Sequence, residues 1–265
     1  MDLTFGESVL VESRYKIARA KEHDRILYAE IRAFLDTQPY SFIEEYDDKQ
    51  FTYFATLKIG KPIPQIRLAL IIGDCVHNLR SALDYIAWRL AGSNFADRMT
   101  LFPIYKTKIG FDGMVKRRQL DHVFHPGALN AIRDIQPYTR PQREPNQLWF
   151  LQELDARDKH KLLTMTQAQS FGGSIGAPGS EHIQVAYGAQ DDGAILAKIR
   201  FPVGTQKSEV KVNFKSLLDI AFERGILEQD TGLPVNVHIP QIIQRVIDVV
   251  LTFERMITAN PDWIR

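Results

Sequence analysis

The segment from Pro62 to Gly92 constrains the fold more than any other part of the chain. Two prolines, Pro62 and Pro64, precede a run of good helix formers, and Gly92 closes it, the order of signals that starts and stops a helix. At about 100° per residue, Cys75, Val76, Leu79, Ala82, Leu83, Ile86 and Leu90 share one wholly apolar face that must pack in a core. Asp74, His77, Ser81 and Asp84 form another stripe, flanked by Asn78 and Arg80 and continuing into Trp88. A face built only for exposure would be filled with Lys and Glu. This one uses His, Asp, Asn, Ser and Arg, and so asks for a specific partner.

The rest of the chain sorts around this helix. Ala20, Leu27, Ile31 and Phe34 recur at helical spacing and predict a first long helix from about Ser8 to Phe34, ended by Gln38-Pro39. Glu44, Glu45, Asp47 and Asp48 read as a solvated loop, and Phe51 to Ile59 as a strand. Residues 93–125 read as irregular with a short helix at most, anchored by Leu101-Phe102-Pro103-Ile104-Tyr105. Pro126 to Ile135 predicts a short helix, Pro137 to Pro145 a turn-rich link, and Asn146 to Leu163 a third long helix.

Beyond this point the period changes from helical to alternating. Thr164 to Ser170, His182 to Ala189, Ile195 to Phe201 and Glu209 to Phe214 suggest an antiparallel meander. Ser216 to Gly225 resembles a short helix and Val235 to Ile239 one more strand. Pro240 then takes the first position of a closing helix with Ile243, Val246, Ile247, Val250, Phe253 and Ile257 on one face. The expected fold class is α+β: a long-helix bundle over residues 1–165, with one early strand, followed by an antiparallel sheet and a closing C-terminal helix over residues 166–265, packed as one unit with the bundle.

Composition excludes several classes. The chain has 265 residues, 45% of them hydrophobic, with 33 Lys+Arg against 32 Asp+Glu, so disorder and a collagen-like or disulfide scaffold are ruled out, and no global charge draws in a polyanion. The single Cys75 and an N-terminus without a basic, then apolar, leader suit a cytoplasmic protein. No apolar run approaches the roughly 20 residues that span a bilayer, so no membrane partner is expected.

Several motifs fail. The glycine-rich Phe171 to Ser180 leads into a strand and lacks the helix N-terminus of a phosphate cradle, so it reads as a hairpin loop. Cys75 and His77 are two positions apart on a helix and diverge, and no nucleophile-elbow pattern surrounds Ser81. The basic residues Lys106, Lys108, Lys116, Arg117, Arg118, Arg133, Arg140 and Arg143 fit either phosphate contacts or a solvated face.

The third helix supplies the partner for the polar stripe. Leu148, Leu151, Leu154 and Leu162 mark its buried face, and Asp155 and Asp158 lie within it. A carboxylate there is costly unless paired, and Arg80 or His77 is the economical partner for Asp158. His160 joins this cluster if the helix ends or bends near Asp158, and His23 lies at its edge. No compact His-x-x-x-His or Cys-rich spacing singles out a metal, and no cofactor is expected.

The motifs Gly73-Asp74-x-x-His77-Asn78-Leu79-Arg80-Ser81-Ala82-Leu83-Asp84 and Leu151-x-x-Leu154-Asp155-x-x-Asp158-Lys159-His160, with Phe102-Pro103-Ile104 and Ile135-Gln136-Pro137-Tyr138 between them, resemble a widespread bacterial family that brings no established function. More loosely, the helical half is similar to the HEPN group of all-α ribonucleases and nucleotide-binding proteins, whose signature places four to six residues between an Arg-polar pair's Arg and a His. Arg157 to His160 has two residues between, and Arg118 to His125 has six. The resemblance implies a metal-independent ribonuclease or nucleotide-processing protein, with His77, Arg80, Asp84, Asp158 and His160 as candidate catalytic residues and RNA or a nucleotide as partner. A homo-oligomer is left open. The rival expectation is a non-enzymatic interaction or structural protein in which the same residues only lock helix register. Exposure separates the two: a site needs an open groove, a lock needs enclosed and satisfied groups.

Overall fold

A computed structural model describes residues 8–91, 101–139, 146–166, 168–223 and 234–264. The helices are α1 (Val11–Asp36), α2 (Gln65–Ala91), α3 (Lys108–Arg118), α4 (Leu120–Val123), α5 (Pro126–Asp134), α6 (Gln147–Asp158) and α7 (Val235–Ala259). The strands are β1 (Tyr40–Asp47), β2 (Thr52–Ile59), β3 (Ala168–Gly176), β4 (His182–Val185), β5 (Gly188–Gln190), β6 (Ile195–Arg200) and β7 (Asn213–Asp219). The fold class is α+β, with antiparallel sheets after the first helices and a helix at the end.

The chain divides into two compact units that interleave along the sequence. One comprises Met1–Leu27, Ala69–Leu163 and His238–Arg265, the other Tyr28–Leu68 and Thr164–Val237. A single cut near residue 165 does not describe this division. The reason is strand pairing: β2 from the first half pairs with β6 from the second, which places the early hairpin with the later strands.

In the helical unit, α2 buries the face read from the sequence. Cys75, Val76, Leu79, Ala82, Leu83, Ile86 and Leu90 are all fully enclosed, each large side chain worth about 1.5–3 kcal/mol of transfer free energy. The Ser13 hydroxyl on α1 donates to the Ala82 carbonyl at 2.8 Å, and the Cys75 thiol donates to the Ala20 carbonyl at 3.4 Å, so polar groups inside the α1–α2 contact are satisfied. α7 presents Ile243, Val246, Val250, Phe253 and Ile257 to the core, and Phe253 meets Phe102 edge-to-face at 5.9 Å.

The other unit contains a sheet in the order β1-β2-β6-β4 and a sheet in the order β5-β3-β7. Tyr53, Ala55, Ala197, Ile199 and Phe201 form its buried centre, with Tyr46, Ile175 and Phe214 packed against it. β3 bulges between Ser170 and Gly173 where it meets β7, and a Cβ on Gly173 would lie 1.9 Å from the Lys215 carbonyl oxygen, so only glycine fits there.

Several sequence expectations are corrected. The acidic segment Glu44 to Asp47 is part of β1, an edge strand in unbroken register with β2; Glu44 and Glu45 are exposed, on opposite faces of the strand, and their charges blunt the edge. The Asp47 side chain closes the turn by accepting from the Lys49 and Gln50 N–H groups, which hold its carboxyl below the usual range. Residues 108–118 form the full helix α3, started by Thr107, whose hydroxyl accepts from the Gly110 N–H, and ended by Gln119 in the left-handed region. Ser216 belongs to strand β7 instead of a short helix, and Lys207–Glu209 is a 3-10 turn ahead of that strand.

Val235 to Ile239 is helical, so Pro240 sits inside α7 and not at its first position. Near a helix start a proline removes few intrahelical hydrogen bonds, and burial of Val235, Ile239 and Ile242 outweighs the β-branched propensity. The segment Phe171–Gly176 extends β3, leaving a turn around Gly179. The third long helix ends at Asp158, short of Leu163. Gly92, Arg140, Arg143, Pro145 and Gly225 lie outside the described residues.

Candidate functional site

The centre of the site is a clamp. Arg80 and Asp84, one helical turn apart on α2, pair at 3.1 Å between Nη2 and Oδ1. Arg80 Nη2 also donates to the Phe102 carbonyl, while the Phe102 N–H donates to Asp84 Oδ1 at 2.7 Å. Both backbone groups of one residue are thus held by two side chains, as a neighbouring strand would hold them. Gln136, fully buried, does the same further along: its Oε1 accepts from the Tyr105 N–H at 2.9 Å, and its Nε2 donates to the Pro103 and Ile132 carbonyls at 2.7 and 3.0 Å. The strap from Phe102 to Tyr105 is irregular backbone tied through the Phe102 N–H and carbonyl to α2 and through the Pro103 carbonyl and Tyr105 N–H to Gln136, just past α5. Burial pushes the Asp84 carboxyl up, against the opposing pulls of Arg80 and the Phe102 N–H.

One turn earlier the stripe has a different character. The end of α6 brings Asp158 over Gly73, where an added Cβ would lie 2.5 Å from its Oδ1. Gly73 provides the bare backbone that allows the approach. Burial, with Asp155 and Asp74 nearby, pushes the Asp158 carboxyl up; His77 and Lys159 pull it down. His77 and Asp74 are exposed, and Asp158 is half-buried.

The expected Asp158 pairing is not formed: Arg80 is taken by Asp84, and no ion pair joins Asp158 to His77 among the described residues. Asp155, buried, is instead paired with Lys159 at 2.7 Å within α6. His160 is exposed beyond the end of α6, its backbone N–H bonded to the Arg157 carbonyl. The five candidates therefore separate into the Arg80–Asp84 clamp, an Asp158 corner beside His77, and His160 on its own.

A cavity of about 450 Å³ opens against the clamp, within the range of small-molecule sites. Its walls are Leu101, Phe102, Pro103, Ile104, Met114 and Leu120; its polar lining is Arg80, Lys106, Thr107, Arg118, Trp149 and Gln152. Three cations and no carboxylate line it among the described residues. Arg80 is enclosed, with its side chain 8% exposed, yet its Nη1 has no hydrogen-bond partner among the described residues, and neither has the buried Trp149 Nε1. Two buried donors with nothing to donate to, on the wall of one cavity, are a cost that an acceptor-bearing ligand removes.

Sequence reasoning found Arg80 and Asp84 but not the cavity. Gln136 stood in a quoted motif without a role; a glutamine between two apolar helix-end residues was its signal. Trp149 and Gln152 carry a weak signal in the sequence because they share α6 with the leucines that define its buried face. Their three-residue spacing, which places both on one side of the helix, was available. Among the described residues no group of three or more His, Cys, Asp or Glu side chains is placed to hold a metal, and no helix is long and apolar enough to cross a membrane. The chain matches no protein-family model, no curated protein and no solved structure, so the family resemblances rest on the motif residues alone.

Proposed function

We propose that the protein binds a nucleotide in the cavity beside the Arg80–Asp84 clamp, the phosphate on Arg80 with Lys106 and Arg118 around it and the base against Phe102, Met114 and Trp149. The observation that carries this reading is the enclosed Arg80 guanidinium with an unpartnered Nη1 on a cation-lined wall. An N–H of a guanidinium donating to a phosphate oxygen makes a charge-assisted hydrogen bond, and in an enclosed site such a bond is stronger than in water. Apolar walls with few convergent polar groups are what a base and sugar need for orientation.

The reading is of binding first. Neither His77 nor His160 lines the cavity, and the carboxylates of Asp74, Asp155 and Asp158 around His77 repel a phosphodiester. A nucleotide held on Arg80 is thus kept apart from the only two histidines that the polar stripe and its α6 partner supply. The structural role and the binding role meet in Arg80, whose Nη2 holds the strap while Nη1 faces a ligand.

Calorimetric titration with nucleoside 5′-monophosphates, the matching nucleosides and inorganic phosphate tests the proposal. Monophosphates are expected to bind and to raise the melting temperature, with Arg118→Gln weakening them about tenfold and Trp149→Phe, which keeps the ring but loses the N–H, weakening them about threefold to tenfold. No binding by any nucleotide, or binding unchanged in both variants, overturns it. Incubation of a mixed RNA with chelator, comparing wild type with His77→Ala and His160→Ala, tests the processing activity that the resemblance implies.

A further inference from the structure

On the other side of the clamp, α1 and α2 leave a second groove, of about 350 Å³, lined by Glu12, Lys16, Ser81, Asp84, Tyr85 and Trp88. Its composition is the reverse of the cavity's: two carboxylates and two large aromatic rings. The rings are exposed although they sit on a helix whose aliphatic side chains are mostly enclosed; Trp88 is 43% and Tyr85 38% accessible. Spaced three residues apart, they stand side by side on the helix surface.

Asp84 lines this groove and reaches the cavity only through its pair with Arg80. Its contacts to Arg80 and to the Phe102 N–H all go to Oδ1, and Oδ2 has no partner among the described residues. Glu12, in the first turn of α1, makes no ion pair there either. Among the described residues that line the groove the cation is Lys16, whose ammonium bonds to Asn78 Oδ1 at 3.4 Å and makes no ion pair with Glu12 or Asp84. Among the described residues the groove therefore brings two carboxylates, of which Asp84 is paired with Arg80 through Oδ1 and Glu12 is in no ion pair, beside two exposed aromatic rings.

We propose that this groove is a second ligand site, taking a small molecule with a quaternary ammonium group between the Trp88 and Tyr85 rings and the Asp84 and Glu12 carboxylates. Ring faces attract a cation through their quadrupoles, and a quaternary ammonium favours them because it has no N–H to satisfy and is weakly hydrated. A simple metal ion would need oxygen ligands that this groove does not supply in number. Lys16 is the tethered competitor: its charge lowers the affinity for any cation in the groove. This site has its own lining, since none of Glu12, Lys16, Ser81, Tyr85 and Trp88 lines the cavity, and the Arg80–Asp84 pair is where the two adjoin.

The probe is choline chloride, titrated by calorimetry and by ligand-observed NMR at constant ionic strength, beside its neutral isostere 3,3-dimethylbutan-1-ol. Saturable choline binding is expected, at least tenfold tighter than the neutral isostere. Trp88→Ala should weaken it about tenfold and Lys16→Met should strengthen it severalfold. Both positions are on the surface, and an unchanged far-ultraviolet circular dichroism spectrum establishes that the variants are folded. Equal binding of the two probes, binding unaffected by Trp88→Ala, or no saturable binding by wild type and Lys16→Met overturns the proposal. Failure here leaves the nucleotide titrations as they stand, because those read Arg118 and Trp149.

Discussion

The two ends of the polar stripe on α2 are built from the same kinds of residue and do opposite things. At the Arg80–Asp84 end the charges are enclosed, paired at 3.1 Å and tied to the Phe102 backbone. At the Asp74–His77 end the side chains are exposed, and the acidic partner brought by α6 lacks an ion pair to either of its expected partners. A wheel projection puts Asp74, His77, Ser81 and Asp84 in one line, but it is the strap at Phe102 that encloses one end and not the other. Residue type proposes a site, and the neighbouring backbone decides whether the group is a structural tie or a free one.

The sharpest way to break this comparison is to remove the clamp's cation. Arg80→Met leaves a half-buried Asp84 carboxylate and the Phe102 carbonyl without their partner, and should cost about 3 kcal/mol in urea unfolding. The double variant Arg80→Met with Asp84→Leu replaces both charges by apolar groups and should recover part of that loss, because desolvating the pair was itself expensive. If Arg80→Met unfolds at the wild-type midpoint, the enclosed end is no tie.

Gln136→Leu comes next. It orphans the Tyr105 N–H and the Pro103 and Ile132 carbonyls at a position with no solvent access, at about 1–3 kcal/mol for each group that finds no new partner. A total of about 2–4 kcal/mol is expected, with fluorescence from Trp149 reporting whether the cavity wall loosens at the same time. A loss under about 0.5 kcal/mol would show that the strap is held from the α2 side alone.

The smaller test lies at the open end. Gly73→Ala places a methyl group 2.5 Å from Asp158 Oδ1, so the carboxyl must swing away, which a half-exposed side chain can do for about 1 kcal/mol. In an Asp158→Ala background the same change meets no obstacle and should stabilise by about 0.5–1 kcal/mol through helix propensity. The reversal of sign between the two backgrounds, measured as a double-mutant cycle, is the signature of contact between α6 and α2 at this point.

How far these features were legible differs by element. The buried face of α2 and the apolar face of α7 follow from periodicity, because a long helix must repeat its core contacts every third or fourth residue. The β1 strand was not legible, because Glu44 and Glu45 look solvated in either a loop or an edge strand, and only pairing with β2 distinguishes the two. The start of α7 misled for a related reason: Val235 to Ile239 is β-branched, and the burial that makes it helical comes from residues distant in sequence. At the site, Arg80 and Asp84 could be named from one helix. Their partner, the Phe102 backbone, carries no side-chain signal, so Asp158 took its place in the sequence reading.

The smallest effect separates the two ends through pH. Burial together with Asp155 and Asp74 raises the Asp158 carboxyl, and burial raises Asp84. For a carboxyl raised in the folded state, that state binds more protons than the unfolded chain between the ordinary value and the raised one. Stability therefore falls as pH rises through that window and is regained as pH falls back through it. Asp158→Asn removes the repelled charge without removing a hydrogen bond that any described residue makes to it, so at neutral pH it should stabilise the protein by about 0.5 kcal/mol, the size expected of a partly screened interaction. It should also remove the Asp158 share of the pH slope. Asp84→Asn likewise removes its share of the slope, but it leaves the enclosed Arg80 guanidinium without its ion pair, so its gain at neutral pH should be smaller than that of Asp158→Asn. A larger gain at pH 7 from Asp158→Asn than from Asp84→Asn is the expected outcome; a loss of stability from Asp158→Asn would mean that Asp158 has a charged partner after all.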